Sequence, residues 1–317
     1  MVISLILIII GFAALIYGAN WMVDGASSLA KKHNISDLAI GLTIVAFGTS
    51  APELVVNSMA SIDGFSDIVL GNIIGSNNFN LFIILGIAGL VYPIKVQSST
   101  AWREIPISLI ITILLLLLAN DLFLNANSRI SRFDGLILFI LFLIFIFYVF
   151  KQMKTDDGEV VAYELKSNLQ IWKLISFGLL GLIVGGKLVV DNSISVATDL
   201  GVSQKIIGLT IIAAGTSLPE LLTSVVAALK KNSDIAIGNV IGSNIFNILL
   251  ILSISSFIKP INYNDIFNID LFILIGGTLF LILAMFTGKR KKLDRWEAAV
   301  LVIFYLTYTI YLILKET

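Results

Sequence analysis

The chain has 317 residues, of which 57% are hydrophobic and 13% charged, with a mean hydropathy of +0.98. A water-soluble chain of that composition would expose more apolar surface than water tolerates, so the composition points to a membrane protein. The 21 basic and 21 acidic side chains balance, which leaves no nucleic-acid footprint, and the lack of cysteine excludes disulfides, iron–sulfur clusters and thiol catalysis.

Apolar segments of about 20 residues, long enough to span a bilayer, fall near 3–23, 39–60, 68–91, 105–124, 132–151, 172–190, 206–228, 235–258, 266–286 and 296–314. They predict an all-α integral membrane protein with ten transmembrane helices, because barrel strands would be shorter and would alternate apolar with polar residues. The first segment lacks the basic start of a secretory signal. Its Gly18, Val23 and Asp24 return as Gly185, Val190 and Asp191, so it reads as the first helix of a repeat. The loop expected at 24–38 carries His33, the one histidine, which has no counterpart and reads as a surface residue. Asp24 and Asp191 are expected at helix ends, in capping or interfacial roles.

The second segment contains GLTIVAFGTSAPEL at 41–54, which returns as GLTIIAAGTSLPEL at 208–221. The third contains DIVLGNIIGSNNFN at 67–80, which returns as DIAIGNVIGSNIFN at 234–247. Both pairs share one offset, since 208 − 41 and 234 − 67 each give 167. The chain is therefore one unit written twice: a first five-helix repeat over 1–151, a linker over 152–171 and a second repeat over 172–317. Five spans are an odd number, so the second copy enters the bilayer inverted, as in secondary transporters that bind substrate near the midplane.

Lysines and arginines set the orientation. One face collects Lys31, Lys32, Lys95, Arg103, Lys151, Lys154 and the basic run at Lys289 to Lys292, among others; the opposite face holds few. By the positive-inside rule the first face is cytoplasmic and both termini are extracytoplasmic. The run at Lys289 to Lys292 reads as a topology signal and a contact for lipid headgroups. Asp156, Asp157 and Glu159 in the linker lack the ligand spacing of an EF-hand, so the linker reads as solvated chain.

The chemistry sits in the repeated motifs. A carboxylate at the centre of a membrane helix costs about 2.5–3.5 kcal/mol, and neither Glu53 nor Glu220 has a Lys or Arg in its own segment. The missing counter-charge is most simply a transported cation or proton. In a continuous helix Thr49, Ser50 and Glu53 share one face, as do Thr216, Ser217 and Glu220. Pro52 and Pro219 withhold amide hydrogens from the carbonyls of Gly48 and Gly215, and those glycines permit local unwinding. Ser76 and Asn80 are spaced i, i+4, as are Ser243 and Asn247, and add hydroxyl and amide oxygens. An all-oxygen set suits hard cations such as Ca²⁺, whereas softer metals call for His or Cys. Gly71, Gly75, Gly238 and Gly242 read as close-packing positions. Asn72, Asn77, Asn239 and Asn244 read as interhelical glue. No general base stands beside a nucleophile in these motifs, which argues against an enzyme.

These GTSAPE, GTSLPE and paired GSN-x-F-N segments resemble the cation/calcium exchanger superfamily, and within it the Na⁺/Ca²⁺ exchanger type, over nearly the whole chain. The resemblance implies an ion site of Ala46 (through its carbonyl), Thr49, Ser50, Glu53, Ser76 and Asn80 from the first repeat. Ala213, Thr216, Ser217, Glu220, Ser243 and Asn247 would come from the second. Some members carry aspartate in place of Asn247, and animal members insert large calcium-sensing domains for which the linker has no room. Proton-coupled relatives tend to carry histidine after the glutamate, where Leu54 and Leu221 stand here, which favours sodium as the driving ion. A H⁺/Ca²⁺ antiporter stays open because a buried carboxylate can take up a proton. So does a cation channel lined by the polar repeats. The expectation is an inner-membrane or cell-membrane antiporter of Na⁺ and Ca²⁺, without cofactor or obligatory protein partner.

Overall fold

The computed structural model describes residues 2–97, 100–120, 128–152, 166–200, 213–287 and 291–316. They are predominantly helical: α1 Val2–His33, α2 Asp37–Thr49, α3 Ala51–Asp63, α4 Ser66–Val91, α5 Thr100–Ala119, α6 Arg132–Lys151, α7 Asn168–Asp199, α8 Leu218–Leu229, α9 Ser233–Ile258, α10 Phe267–Ala284 and α11 Arg295–Glu316. Among the described residues seven helices are long and apolar enough to cross a membrane, or eight if α2 and α3, bent by 47° at their junction, form one span. Of the span expected at 206–228, residues 206–212 lie outside the described residues, as does 153–165 of the linker.

Helix starts follow local chemistry. Ser131 caps α6 in a reciprocal box with Asp134, and Ser167 caps α7 in the same way with Gln170. Gly64 ends α3 with φ of +82°, a left-handed conformation that costs glycine nothing.

Two expectations need correction. Asp24 and Asp191 are not at helix ends, because α1 and α7 each run for 32 residues and carry both aspartates well inside. At 1.5 Å per residue such a helix is about 48 Å long. It overshoots the hydrocarbon layer, so the polar stretch after the apolar run stays helical instead of turning into a loop. Asp24 instead pairs with Lys230 at 2.8 Å. The expected loop at 24–38 shrinks accordingly, and the exposed His33 is the last residue of α1.

α1 and α7 pack along a seam of small residues. A methyl on Gly18 would come within 2.8 Å of the Gly178 carbonyl, and one on Gly185 within 2.8 Å of the Gly11 carbonyl. Close backbone approach of this kind is how helices associate where lipid removes the hydrophobic drive. At the centre stand α4 and α9, the most buried helices, with α9 wholly enclosed through its apolar window. α9 crosses α2 at Gly238 and Gly242, where added methyls would meet Gly41 and Ala46, so these two glycines do serve close packing. Among the described residues nothing lies within 4 Å of a methyl built on Gly75, and Gly71 meets only Phe267. Their counterpart surface at the repeat offset, 208–213, falls mostly outside the described residues.

Two antiparallel ribbons tie the ends of the molecule together. β1 (Ile94–Lys95) pairs with β4 (Lys292–Leu293), and β2 (Arg129–Ile130) pairs with β3 (Ile261–Asn262), so each ribbon joins a loop of the first half to one of the second.

Candidate functional site

The chain between α2 and α3 breaks at Ser50 (φ −84°, ψ 7°), and the chain before α8 breaks at Ser217 (φ −89°, ψ 7°). Pro52 and Pro219 lie in the first turn of the following helices, where a missing amide hydrogen costs nothing. The break removes the continuous face expected of Thr49, Ser50 and Glu53: Thr49 ends one helix and Glu53 sits in the first turn of the next. A helix N-terminus is a favourable place for a carboxylate. Glu220 holds the same position in α8.

The break turns each serine away from its own glutamate and towards the other. Ser50 Oγ donates to Glu220 Oε1 at 3.0 Å, and Ser217 Oγ donates to Glu53 Oε1 at 3.4 Å. Thr216 lies against the Glu53 carboxyl and Thr49 against that of Glu220. Both glutamates are 1% exposed, and no lysine or arginine pairs with them among the described residues. Thr49 also donates to Asn239 Oδ1 at 3.0 Å, while Asn239 donates to the Glu220 carbonyl and to Ser224.

The second layer comes from α4 and α9, and here the sequence reading missed a feature. Both helices widen into a π turn that begins at a candidate ligand, Asn80–Ile84 in α4 and Asn247–Ile251 in α9. Such turns recur at functional sites because the extra residue re-aims side chains. Asn80 Nδ2 donates to Asn244 Oδ1 at 3.0 Å, and Asn247 Nδ2 donates to Asn77 Oδ1 at 2.9 Å. Ser76 donates to Asn72 Oδ1 within its own helix. Of the four asparagines read as glue, Asn77, Asn239 and Asn244 bridge between helices, and among the described residues Asn72 is bonded only within its own helix.

Among the described residues, Glu53 Oε2, Glu220 Oε2, Asn80 Oδ1, Asn247 Oδ1 and Ser243 Oγ are buried without a hydrogen-bond partner. Buried polar groups are nearly always paired, and each exception costs about 1–3 kcal/mol, more when charged. Unpartnered oxygens beside two carboxylates match the kind of donor that hard cations take. Among the described residues no group of three or more His, Cys, Asp or Glu gathers into a metal centre, so neutral oxygens make up most of the donor set. Of the expected site residues, Ala46, Thr49, Ser50, Glu53, Ser76, Asn80, Ser217, Glu220, Ser243 and Asn247 are all buried. Thr216 is partly buried, and Ala213 begins a single helical turn, Ala213–Gly215.

Two further carboxyl–tyrosine pairs stand apart from this cluster, one on the buried Glu104 and one on the partly buried Asp270. Tyr148 donates to Glu104 at 2.6 Å, and Tyr308 donates to Asp270 at 2.6 Å. Both acids lie at the edges of apolar runs, where an acidic residue is itself a warning that a partner must exist.

The chain is similar to known proteins along almost its full length. The model of the family described as "Sodium/calcium exchanger protein" matches residues 3–151 and 171–314. The sodium/calcium exchanger MaX1 of Methanosarcina acetivorans is 31% identical, over 98% of this chain and 98% of that protein. The inner membrane protein YrbG of Escherichia coli is 35% identical, over 82% of this chain and 81% of that protein. A structure of the sodium-calcium exchanger NCX_Mj soaked with 10 mM Na⁺ and zero Ca²⁺ superposes with a TM-score of 0.84 at 31% identity, covering 97% of this chain and 98% of that one.

Proposed function

Because the chain belongs to the sodium/calcium exchanger family, whose members are membrane antiporters, we propose that it exchanges Na⁺ for Ca²⁺ at the oxygen cluster between Glu53 and Glu220. The observation that carries this reading is the pair of crossed bonds, Ser50 to Glu220 and Ser217 to Glu53, beside two buried carboxylate oxygens that have no partner among the described residues. Two negative charges match one Ca²⁺ or two Na⁺. Thr49, Ser50, Thr216 and Ser217, the carbonyls of Ala46 and Ala213, and Ser76, Asn80, Ser243 and Asn247 supply neutral oxygen around them. The ions are cargo; the reading assigns no cofactor, catalytic residue or obligatory protein partner.

Ten spans in two inverted five-helix repeats, 1–151 and 172–317, explain why the bonds come in reciprocal sets. Asn77 donates to the Asn244 carbonyl and Asn244 to the Asn77 carbonyl, residues one repeat apart by an offset of 167. Opening the cluster to one side and then the other would amount to rocking one set of helices against its mirror. The basic loops place both termini on the extracytoplasmic side. Oxygen beyond the needs of two sodium ions leaves room for a third, which makes exchange against one Ca²⁺ electrogenic.

Radioactive calcium uptake into sodium-loaded proteoliposomes tests the reading. Uptake should follow the outward sodium gradient, saturate with calcium and vanish when sodium is equal on both sides. Uptake that ignores sodium but follows a pH gradient would make the chain a proton-coupled exchanger, and uptake without any counter-ion would make it a channel.

A further inference from the structure

The geometry assigns to Asn77 and Asn244 a positioning role: they turn the amide oxygens, and not the nitrogens, of Asn247 and Asn80 towards the ion. This inference rests on the cluster being the ion site. An asparagine side chain has two ends of nearly equal shape, one an acceptor and one a donor of two hydrogens. Facing a cation, the oxygen is a ligand and the nitrogen is a repellent. A membrane site that relies on two asparagines therefore needs something to choose between the ends.

The choice is anchored at main-chain carbonyls, which can only accept. Asn244 reaches the Asn77 carbonyl at 3.2 Å, so the end of its amide that faces that carbonyl must be nitrogen. Its other end is then oxygen, and that oxygen lies 3.0 Å from the Asn80 amide. Asn80 must present nitrogen to it, which leaves Asn80 Oδ1 facing away, buried and without a partner among the described residues. The same sequence of constraints runs through the other half. Asn77 reaches the Asn244 carbonyl at 3.2 Å and offers Oδ1 to Asn247 Nδ2 at 2.9 Å, which frees Asn247 Oδ1. All four side chains are at most 3% exposed.

The wiring is crossed. Asn77 lies three residues before Asn80 in α4 but holds Asn247 of α9, and Asn244 of α9 holds Asn80 of α4. That crossing separates orientation from simple packing, because each asparagine should matter to one ligand and not to the other.

The test uses a feature of aspartate, whose two ends are both oxygen and need no orienting. Calcium binding to the purified full-length chain is measured by equilibrium binding of radioactive Ca²⁺, with monodispersity checked by size exclusion. Asn77→Ala should raise the half-saturating concentration about tenfold, the worth of one hydrogen bond to a charged or ion-facing group. In an Asn247→Asp background the same Asn77→Ala change should cost nothing beyond about twofold, the limit within which independent changes add. In an Asn80→Asp background it should still cost about tenfold. Asn244→Ala, with Asn80→Asp as its suppressor, is the mirror test should Asn77→Ala fail to fold. An equal loss for Asn77→Ala in the wild-type and Asn247→Asp backgrounds would reduce Asn77 to packing and overturn the proposal. So would normal calcium binding by Asn77→Ala when Asn80→Ala and Asn247→Ala weaken it. If Asn80→Ala, Asn247→Ala and Glu53→Gln all leave calcium binding untouched, the site itself is misplaced, a separate failure.

Discussion

Replacing Glu53 by glutamine removes one negative charge and almost nothing else. The glutamate is 1% exposed, its Oε1 is held by Ser217 and its Oε2 has no partner among the described residues. With Ca²⁺ bound between two carboxylates the cluster is neutral; with Glu220 alone it keeps one net positive charge away from water. A single charge at the centre of a membrane costs about 2.5–3.5 kcal/mol, which at about 1.4 kcal/mol per tenfold is roughly a hundredfold loss of calcium affinity. Without ions the effect reverses. Glutamine removes a buried, half-partnered charge, so the ion-free variant should unfold no lower in temperature than the wild type. Thermal unfolding of the detergent-purified chain reads both effects together. Calcium at a hundred times the wild-type dissociation constant should stabilise the wild type by about 2.7 kcal/mol, and the variant by only about 0.4 kcal/mol. Equal calcium stabilisation of the two proteins would refute the argument, since it would mean that Glu53 does not face the ion.

If three Na⁺ exchange for one Ca²⁺, a clamped potassium diffusion potential should shift steady-state calcium accumulation by about fiftyfold per 100 mV, the equivalent of about 2.3 kcal/mol for one charge; indifference to voltage would exclude that stoichiometry. Gly18→Ala should lower thermal stability by about 1–3 kcal/mol, because the new methyl meets the Gly178 carbonyl and the Leu182 amide, both at 2.8 Å and both main chain; an unchanged melting curve would show that α1 and α7 are free to separate. Tyr148→Phe should leave Glu104 with no partner among the described residues on either carboxyl oxygen and destabilise the fold by about 1.5–3 kcal/mol, while calcium affinity stays at the wild-type value. A change in affinity would tie that pair to the ion site.

Much of this molecule is legible in one dimension. Long apolar runs favour helices, because a bilayer leaves main-chain groups few other partners, and among the described residues seven helices are long and apolar enough to cross a membrane, or eight if α2 and α3 form one span. The repeat offset and the two glutamates without basic neighbours located the candidate site before any contact was known, since an unpaired carboxylate in hydrocarbon demands an explanation. What periodicity misjudged was length and continuity. Asp24 looked like the end of a helix because apolar character ends there, but α1 continues through the polar layer by packing against α7. Thr49, Ser50 and Glu53 looked like one helical face because spacing assumes an unbroken helix, and the chain breaks at Ser50.

The partners of these groups were decided by tertiary structure alone. Nothing in GTSAPEL says that Ser50 serves Glu220 and not Glu53, and nothing in GSNNFN says that Asn77 bonds a residue of the opposite helix. Sequence records which oxygens and nitrogens exist and how they are spaced along one strand of chain. Which way the Asn77 and Asn244 amides turn depends on a main-chain carbonyl from a helix one repeat away, and that distance is set only when α4 and α9 pack together.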